Sequence, residues 1–128
     1  MTPSKYQAVT LTLLRIVAAG IYMQHGVQKV MSFQQHGSLG GPLQYTAMFL
    51  ETVFAALIIL GLFTRIAAFI CSGEMAVAYF LFHAPHGFFP VNNHGETPAL
   101  LCFIFFYLSA VGGGPFSLDA VFRRNATG

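Results

Sequence analysis

The chain has 128 residues, of which 55% are hydrophobic and 8% are charged, and its formal net charge is +2. A soluble globular domain carries about 25% charged residues, so this composition excludes a soluble monomer. It also excludes a disordered chain and a coiled coil, both of which need charge. The small positive balance argues against nucleic-acid binding, and a lipid bilayer is the expected partner for most of the surface.

Four apolar stretches follow one another and predict an all-α fold, a membrane four-helix bundle. Their approximate bounds are 7–31, 43–63, 66–84 and 96–113. A helix needs about 20 apolar residues to cross a bilayer, with a range of about 17–25. The first two stretches meet this length, and the last two meet it with interfacial residues at their ends. The chain is therefore predicted to be a single domain with four transmembrane helices.

Glycine and proline residues separate these stretches and mark the connections between helices. The connection at 61–65 is very short, so the second and third helices are predicted to form an antiparallel hairpin. Residues 112–115, Gly-Gly-Gly-Pro, end the fourth helix. Ser117 is then predicted to cap a short amphipathic helix at 118–124, which lies at the membrane interface.

Lysine and arginine residues predict the orientation of the bundle, because they are enriched in cytoplasmic loops. Four spans place both termini on one side, and Lys5, Arg65, Arg123 and Arg124 fall on that same side. Only Lys29 lies near the other side. The sequence therefore predicts a multi-pass protein of the plasma membrane with both termini in the cytoplasm.

Three of the four predicted spans carry an ionisable residue inside the membrane. A charge at the bilayer centre costs about 2.5–3.5 kcal/mol on insertion scales, so such residues are functional candidates. Arg15 and Glu74 lie at a similar depth from the same side of the membrane, which predicts an ion pair between them. The pair is either functional or serves only to fix the register of the two helices. Glu51 enters from the opposite side, where either His25 or Lys29 can donate to it.

Small residues accompany these ionisable residues at helical intervals, which predicts that the faces carrying them meet in the centre of the bundle. Such faces run through Glu51 on the second span and Glu74 on the third. On the first span, the predicted inward face consists of Arg15, Ala18, Ala19, Tyr22, Gly26 and Lys29, with His25 at its edge.

The loop after the third span is rich in potential metal ligands. His83 and His86 are three residues apart, a spacing that allows both to bind one metal, but Pro85 breaks helical geometry between them and no cysteine is near. A b-type haem would need facing histidines at matched heights, for which His25 and His83 are the candidates. Neither metal nor haem is expected. The sequence also lacks the glycine fingerprints of dinucleotide and nucleotide sites.

Several motifs along the chain resemble those of DoxX-type membrane proteins, in the same order. They are Leu14-Arg15-Ile16, His25-Gly26-Val27-Gln28-Lys29, Glu51 with Leu60-Gly61-Leu62-Phe63-Thr64-Arg65, His83 with Gly87-Phe88-Phe89, Asn93-His94-Gly95-Glu96, and the ending Gly112 to Gly114 with Ser117-Leu118-Asp119. The resemblance covers nearly the whole chain and implies a four-helix integral membrane protein. Arg65 and Asp119 are both motif positions on the predicted cytoplasmic side, and a salt bridge between them is expected to tie the C-terminal helix to the hairpin turn.

The resemblance also implies a class of function. Some DoxX-type proteins are associated with quinone-linked oxidation of sulfur compounds, as a small subunit of a thiosulfate:quinone oxidoreductase, and others with membrane redox-stress complexes. It therefore implies a quinone-linked redox subunit that works with a membrane or peripheral redox partner. Where a typical member has Gly-Gly before the glutamate of the last span, this chain has His94-Gly95, which leaves proton-relay chemistry more open.

On this hypothesis a quinone headgroup enters from the outer leaflet, and His25 and Glu51 exchange its protons as the catalytic residues. The residues predicted to bind the quinone are Arg15, Tyr22, Lys29, Glu74, His83 and Glu96. The chain has no visible redox centre of its own. Its electrons would therefore come from a partner subunit or directly from a reductant.

Two other functions stay open. The chain can be a non-catalytic membrane anchor or assembly subunit of a redox complex, in which the interior charges only specify helix register. It can also be a small transporter, although a pore needs more polar lining than three charges supply. Association into a homo-oligomer is open as well.

Overall fold

The computed structural model describes residues 4–127, and every regular element in that range is a helix. The elements are α1 (Lys5–His36), α2 (Pro42–Leu60), α3 (Thr64–His86), a single turn at Pro90–Asn93, α4 (Glu96–Val111) and α5 (Leu118–Thr127). By length and composition α1, α2 and α3 can cross a membrane, whereas α4 is a shorter apolar helix of 16 residues. The all-α prediction is confirmed for the described residues, and the helices are compatible with a membrane bundle.

Local sequence signals set the ends of the first two helices. Ser4 Oγ accepts from the Gln7 amide and Gln7 Oε1 accepts from the Ser4 amide, which forms a capping box at the start of α1. This helix ends at Gly37, which has a left-handed φ of 74°. Proline at position 42 opens α2, and Gly61, with a φ of 73°, ends it. The predicted second span, 43–63, therefore overran the helix, since its last residues lie in the turn.

The first helix is longer than its apolar stretch. It has 32 residues, or about 48 Å at about 1.5 Å per residue, against a hydrocarbon core of about 30 Å. Arg15 donates to the Ile59 carbonyl in the last turn of α2, so the turns of α1 that precede Arg15 extend past the end of α2. This overhang changes the depth of every side chain on α1 relative to the prediction.

The core is built from small residues and a few large rings. Helix α3 packs along α4, and α1 packs against α2. The Tyr22 and Phe105 rings, both fully buried, meet edge to face with centroids 5.0 Å apart and join α1 to α4. Large apolar side chains cover the outside instead, as expected for a surface in lipid; Phe69, Phe80 and Phe103 are each at least 60% exposed.

Helices α1 and α2 approach most closely at Gly26. A Cβ built on Gly26 would lie 2.6 Å from the backbone carbon and oxygen of Glu51, whereas one built on Gly20 meets nothing within 4 Å. Such close approach of two helix backbones requires a residue without a side chain. Gly26 therefore fixes the position of Glu51 relative to α1.

This contact predicts a difference between two glycine variants. Gly26→Ala is expected to lower the free energy of unfolding by about 2 kcal/mol, because the added methyl group forces α1 and α2 apart. Gly20→Ala, the matched control on the same helix, is expected to leave stability unchanged or slightly raised. Thermal unfolding in detergent measures both, and equal stability of the two variants would contradict the close contact.

The C-terminal helix is joined to the α2–α3 turn through backbone groups. The Asp119 carboxylate accepts from the amides of Phe63 (2.8 Å) and Thr64 (3.0 Å), and the Asp119 amide donates to the Gly61 carbonyl (2.9 Å). Asp119 thereby caps α3, whose own preceding residue has no polar side chain. As predicted, Ser117 Oγ caps α5 by accepting from the Ala120 amide at 3.2 Å.

The expected salt bridge between Arg65 and Asp119 was wrong. Arg65 donates to the carbonyls of Ala110 and of Val111 (3.4 Å), at the end of α4. The amides that open a helix attract the carboxylate, and the carbonyls that close one attract the guanidinium. Each charge is therefore bound to a helix end rather than to its counterpart.

The cap at Asp119 predicts an acid-dependent loss of stability. Burial raises the pKa of Asp119, but the hydrogen bonds from Thr64 and Phe63 outweigh burial and leave that pKa below its ordinary value. A lowered folded-state pKa contributes stability that is complete above the ordinary value and is lost as pH falls through the folded one. The free energy of unfolding of Asp119→Ala is expected to be about 1 kcal/mol below that of the wild type at neutral pH. On acidification it should fall by less than that of the wild type.

Unfolding midpoints measured across this pH range test the prediction. Glu96→Gln, which removes an exposed carboxyl, is the matched control and should follow the wild type. If Asp119→Ala lost as much stability in acid as the wild type, the cap would not be the group that titrates.

Candidate functional site

A cavity of about 410 Å³ lies between α1, α2, α3 and the start of α4, in the half of the bundle distant from α5. Most of its wall is apolar. Five of the residues that sequence analysis singled out line it, namely His25, Lys29, Glu51, Glu74 and His83. The fold therefore brings together polar side chains from three helices that are far apart in the sequence.

Lys29 and Glu51 form an ion pair across α1 and α2. Lys29 Nζ donates to Glu51 Oε1 at 2.8 Å, and the side chains of Lys29 and Glu51 are 26% and 3% exposed. Of the two donors that the sequence allowed for Glu51, the structure thus pairs Lys29. His25 lines the cavity with an exposed side chain, so it lies at the rim.

Glu74 is bound by Tyr22 and not by arginine. The Tyr22 hydroxyl donates to Glu74 Oε1 at 2.8 Å, and Tyr22 itself is fully buried. The predicted ion pair between Arg15 and Glu74 was wrong because α1 extends past the end of the bundle. The side chain that reaches the depth of Glu74 is Tyr22, two turns further along α1.

Arg15 lies at the end of the bundle where α2 and α4 finish. Its guanidinium donates to the carbonyls of Gly113, Phe116 (3.2 Å) and Ile59 (3.3 Å). Arg15 is 2% exposed and does not line the cavity. A cation beside the carbonyl end of a helix is electrostatically favourable, and Arg15 joins the end of α2 to the α4–α5 connection.

Two carboxyl groups share the cavity with one lysine. Glu51 and Glu74 both line it, as does Lys29. Two carboxylates in a site of low dielectric repel, and a proton on either of them removes that repulsion. The two carboxyls differ in their donors, because Glu51 accepts from Lys29 and Glu74 accepts from Tyr22.

Two π-helical segments border the cavity, and sequence analysis gave no indication of either. Leu50–Phe54 carries Glu51, and Tyr79–His83 ends with His83. A π-helical segment widens one turn, redirects its side chains and occurs frequently at functional sites. Both of the altered segments here hold a cavity residue, and the widened turns aim those side chains inward.

The loop after α3 is fixed by Asn93, which sequence analysis did not single out as a site residue. Asn93 is 4% exposed, and its amide nitrogen donates to Tyr79 Oη (3.1 Å) and to the Gly87 carbonyl (2.6 Å). His83 Nδ1 lies 3.0 Å from the Asn93 carbonyl oxygen. Asn93 Oδ1 also accepts from the Gly95 amide at 2.8 Å, a side-chain turn that the Asn-x-Gly spacing could have indicated. The loop thus sets the orientation of His83 at the cavity mouth.

Glu96, the remaining predicted quinone-binding residue, lies elsewhere. It occupies the first turn of α4 with an exposed side chain and does not line the cavity. Within residues 4–127 no three histidine, cysteine or acidic side chains are grouped closely enough to hold a metal ion. The ionisable side chains that line the cavity are two carboxyls, a lysine and two histidines, and the buried Tyr22 hydroxyl lies behind Glu74.

Comparisons with known proteins identify what the chain is similar to. A sequence model of the DoxX family matches residues 10–84, a range that contains all five ionisable cavity residues. An uncharacterized protein of Haemophilus influenzae, strain Rd, is 43% identical over 128 aligned positions, which cover 94% of this chain and 96% of that protein. No solved structure matches the chain.

Proposed function

Because this chain belongs to the DoxX family of membrane proteins, we propose that it is a quinone-linked redox subunit of a membrane oxidoreductase, similar to thiosulfate:quinone oxidoreductase. The observation that carries the proposal is the apolar cavity in which Lys29, Glu51 and Glu74 converge. A partner subunit or a soluble reductant supplies the electrons. In the proposed orientation both termini face the cytoplasm and the cavity lies towards the outer leaflet.

The cavity has the size and the lining that a quinone headgroup needs. Its volume of about 410 Å³ falls within the range of about 300–1,000 Å³ for small-molecule sites, which are mostly apolar with a few polar groups. Several lining side chains are also between 40% and 55% exposed on the outside of the bundle, namely Leu43, Ile70, Val77 and Phe82. A hydrophobic molecule dissolved in the bilayer can therefore reach the cavity sideways, between α2 and α3.

The polar residues have distinct roles in this proposal. A bound quinone supplies the electron acceptor, which takes up two electrons and two protons in becoming a quinol. Glu51 and His25 hold and deliver protons, and Lys29 fixes the Glu51 carboxyl through their 2.8 Å bond. Glu74, held by Tyr22, provides a second carboxyl from which Glu51 takes up a new proton.

A second function, a non-catalytic anchor for a redox enzyme, is favoured by one observation. Arg15 and Asp119 both bind backbone groups that join helices, so charged side chains serve architecture in at least two places. If the pair of Lys29 and Glu51 serves the same purpose, the cavity needs no occupant. The two functions then differ in whether filling the cavity has any effect.

Filling the cavity with a leucine is expected to abolish quinone binding. Gly73 lines the cavity, and a Cβ built on it meets nothing within 4 Å, so Gly73→Leu is expected to narrow the cavity without a clash at the added Cβ. Gly20→Leu adds the same side chain on α1, outside the cavity, and is the matched control. Titration calorimetry with a short-chain quinone should show affinity at least about tenfold weaker, or 1.4 kcal/mol, for Gly73→Leu only. Equal affinity in the two variants would refute the cavity as the quinone site.

A further inference from the structure

A second cavity lies at the opposite end of the bundle, where α5 crosses the α2–α3 turn. It is a groove of about 1220 Å³ and shares no lining residue with the first cavity. Three arginines line it, namely Arg65, Arg123 and Arg124. The groove is thus separate from the site of the proposed function and differs from it in charge.

The charge of the groove is positive and partly fixed in place. Against the three arginines it contains one carboxylate, Asp119, so three positive charges less one negative leave an excess of two. The Asp119 carboxylate is already bound by the amides of Phe63 and Thr64. Arg65 is held by carbonyls at the end of α4, which positions its guanidinium before any ligand arrives.

Exposed apolar and aromatic side chains also line the groove. Phe63, Ile66, Tyr107 and Phe122 line it and are between 54% and 66% exposed. Aromatic rings at helix ends are typical of the membrane interface, and α5 is an amphipathic helix at that level. The arginines of the groove therefore lie beside an exposed apolar surface that is suited to acyl chains.

We propose that this groove binds the phosphate-bearing headgroup of an anionic phospholipid, with the acyl chains against Ile66 and Tyr107. Guanidinium groups match the geometry of phosphate oxygens, and basic pockets at helix ends bind anionic lipid headgroups. A soluble phosphate would meet the same arginines but would leave the exposed apolar surface uncovered. A zwitterionic lipid brings a cation into a groove that already has a positive excess.

Native mass spectrometry of the purified full chain tests this binding, with phosphatidylglycerol and phosphatidylcholine of identical acyl chains offered at equal concentration. The wild type should retain phosphatidylglycerol preferentially. Each of Arg123→Gln and Arg124→Gln should lower that preference about fivefold, because each removes the contribution of about one interfacial arginine to lipid binding. The double variant should lower it about 25-fold. Lys5→Gln removes an exposed cation from the same end of the bundle, outside the groove, and should change nothing.

Two results would overturn the proposal. One is a preference for phosphatidylglycerol that survives in the double variant, or in both single variants if the double variant does not fold. The other is displacement of the lipid by inorganic phosphate at the same concentration, which would assign the groove to a soluble anion. Neither result bears on quinone binding in the first cavity.

Discussion

Glu51→Gln is expected to reduce quinone turnover by at least about 100-fold, the usual contribution of a positioned acid or base. The amide keeps the size of the side chain but cannot carry a proton to a ligand in the cavity. Lys29 loses its carboxylate partner, yet its side chain is 26% exposed and can be solvated. The variant should therefore fold and still bind quinone.

Glu96→Gln is the matched control for this experiment, because it makes the same chemical change at an exposed carboxyl outside the cavity. Steady-state quinone reduction with the native partner measures both variants, and only Glu51→Gln should lose activity. Full activity in Glu51→Gln, together with an intact partner complex, would favour the anchor function instead.

Arg15→Met is expected to have the largest effect on stability, with a loss of about 3 kcal/mol or more. Methionine removes every donor to the carbonyls of Gly113, Phe116 and Ile59. Ile59 lies in the last turn of α2, and Gly113 and Phe116 lie in the connection between α4 and α5, so the end of α2 and this connection lose their shared partner. Arg15→Lys keeps the charge but not the branched donor geometry, and should be intermediate.

The Glu74→Gln variant tests whether Glu74 is bound by Tyr22, as observed, or forms an ion pair with Arg15. An ion pair would make Arg15→Met and Glu74→Gln similarly destabilising. The structure predicts instead that Glu74→Gln is mild, since a glutamine oxygen still accepts from Tyr22. Lys5→Met, at an exposed position on the same helix, controls for the loss of a cation. Equal losses for Arg15→Met and Glu74→Gln in denaturant unfolding would contradict the structure.

The sequence predicted the helices and the helix faces that meet at the site, because both follow from the periodicity of apolar residues. Small residues beside Tyr22 and Glu51 correctly marked faces that meet in the bundle. The roles assigned to these residues stay predictions. Counting depth from the start of each apolar stretch failed for Arg15, since it takes no account of how far α1 extends beyond its neighbours.

Contacts between charged side chains and backbone groups could not be predicted from the pattern of charges in the sequence. Arg65 and Asp119 bind helix ends, and Arg15 binds the last turn of α2 and the α4–α5 connection. Those amides and carbonyls look the same in every sequence. The π-helical turns at Glu51 and His83 likewise result from tertiary packing and have no local signal. Sequence reasoning paired charges with charges, whereas in a bundle with few charges the unsatisfied helix ends compete for them.

A quinone in the cavity is tested most directly by identifying the molecules that the protein carries from its own membrane. The wild type and the Gly73→Leu and Gly20→Leu variants would be extracted gently, and their bound molecules identified by mass spectrometry. A stoichiometric quinone is expected in the wild type and Gly20→Leu, and none in Gly73→Leu. No quinone in any of the three, beside a stably bound enzyme partner, would contradict it and leave Glu51 and Glu74 as elements of the bundle architecture.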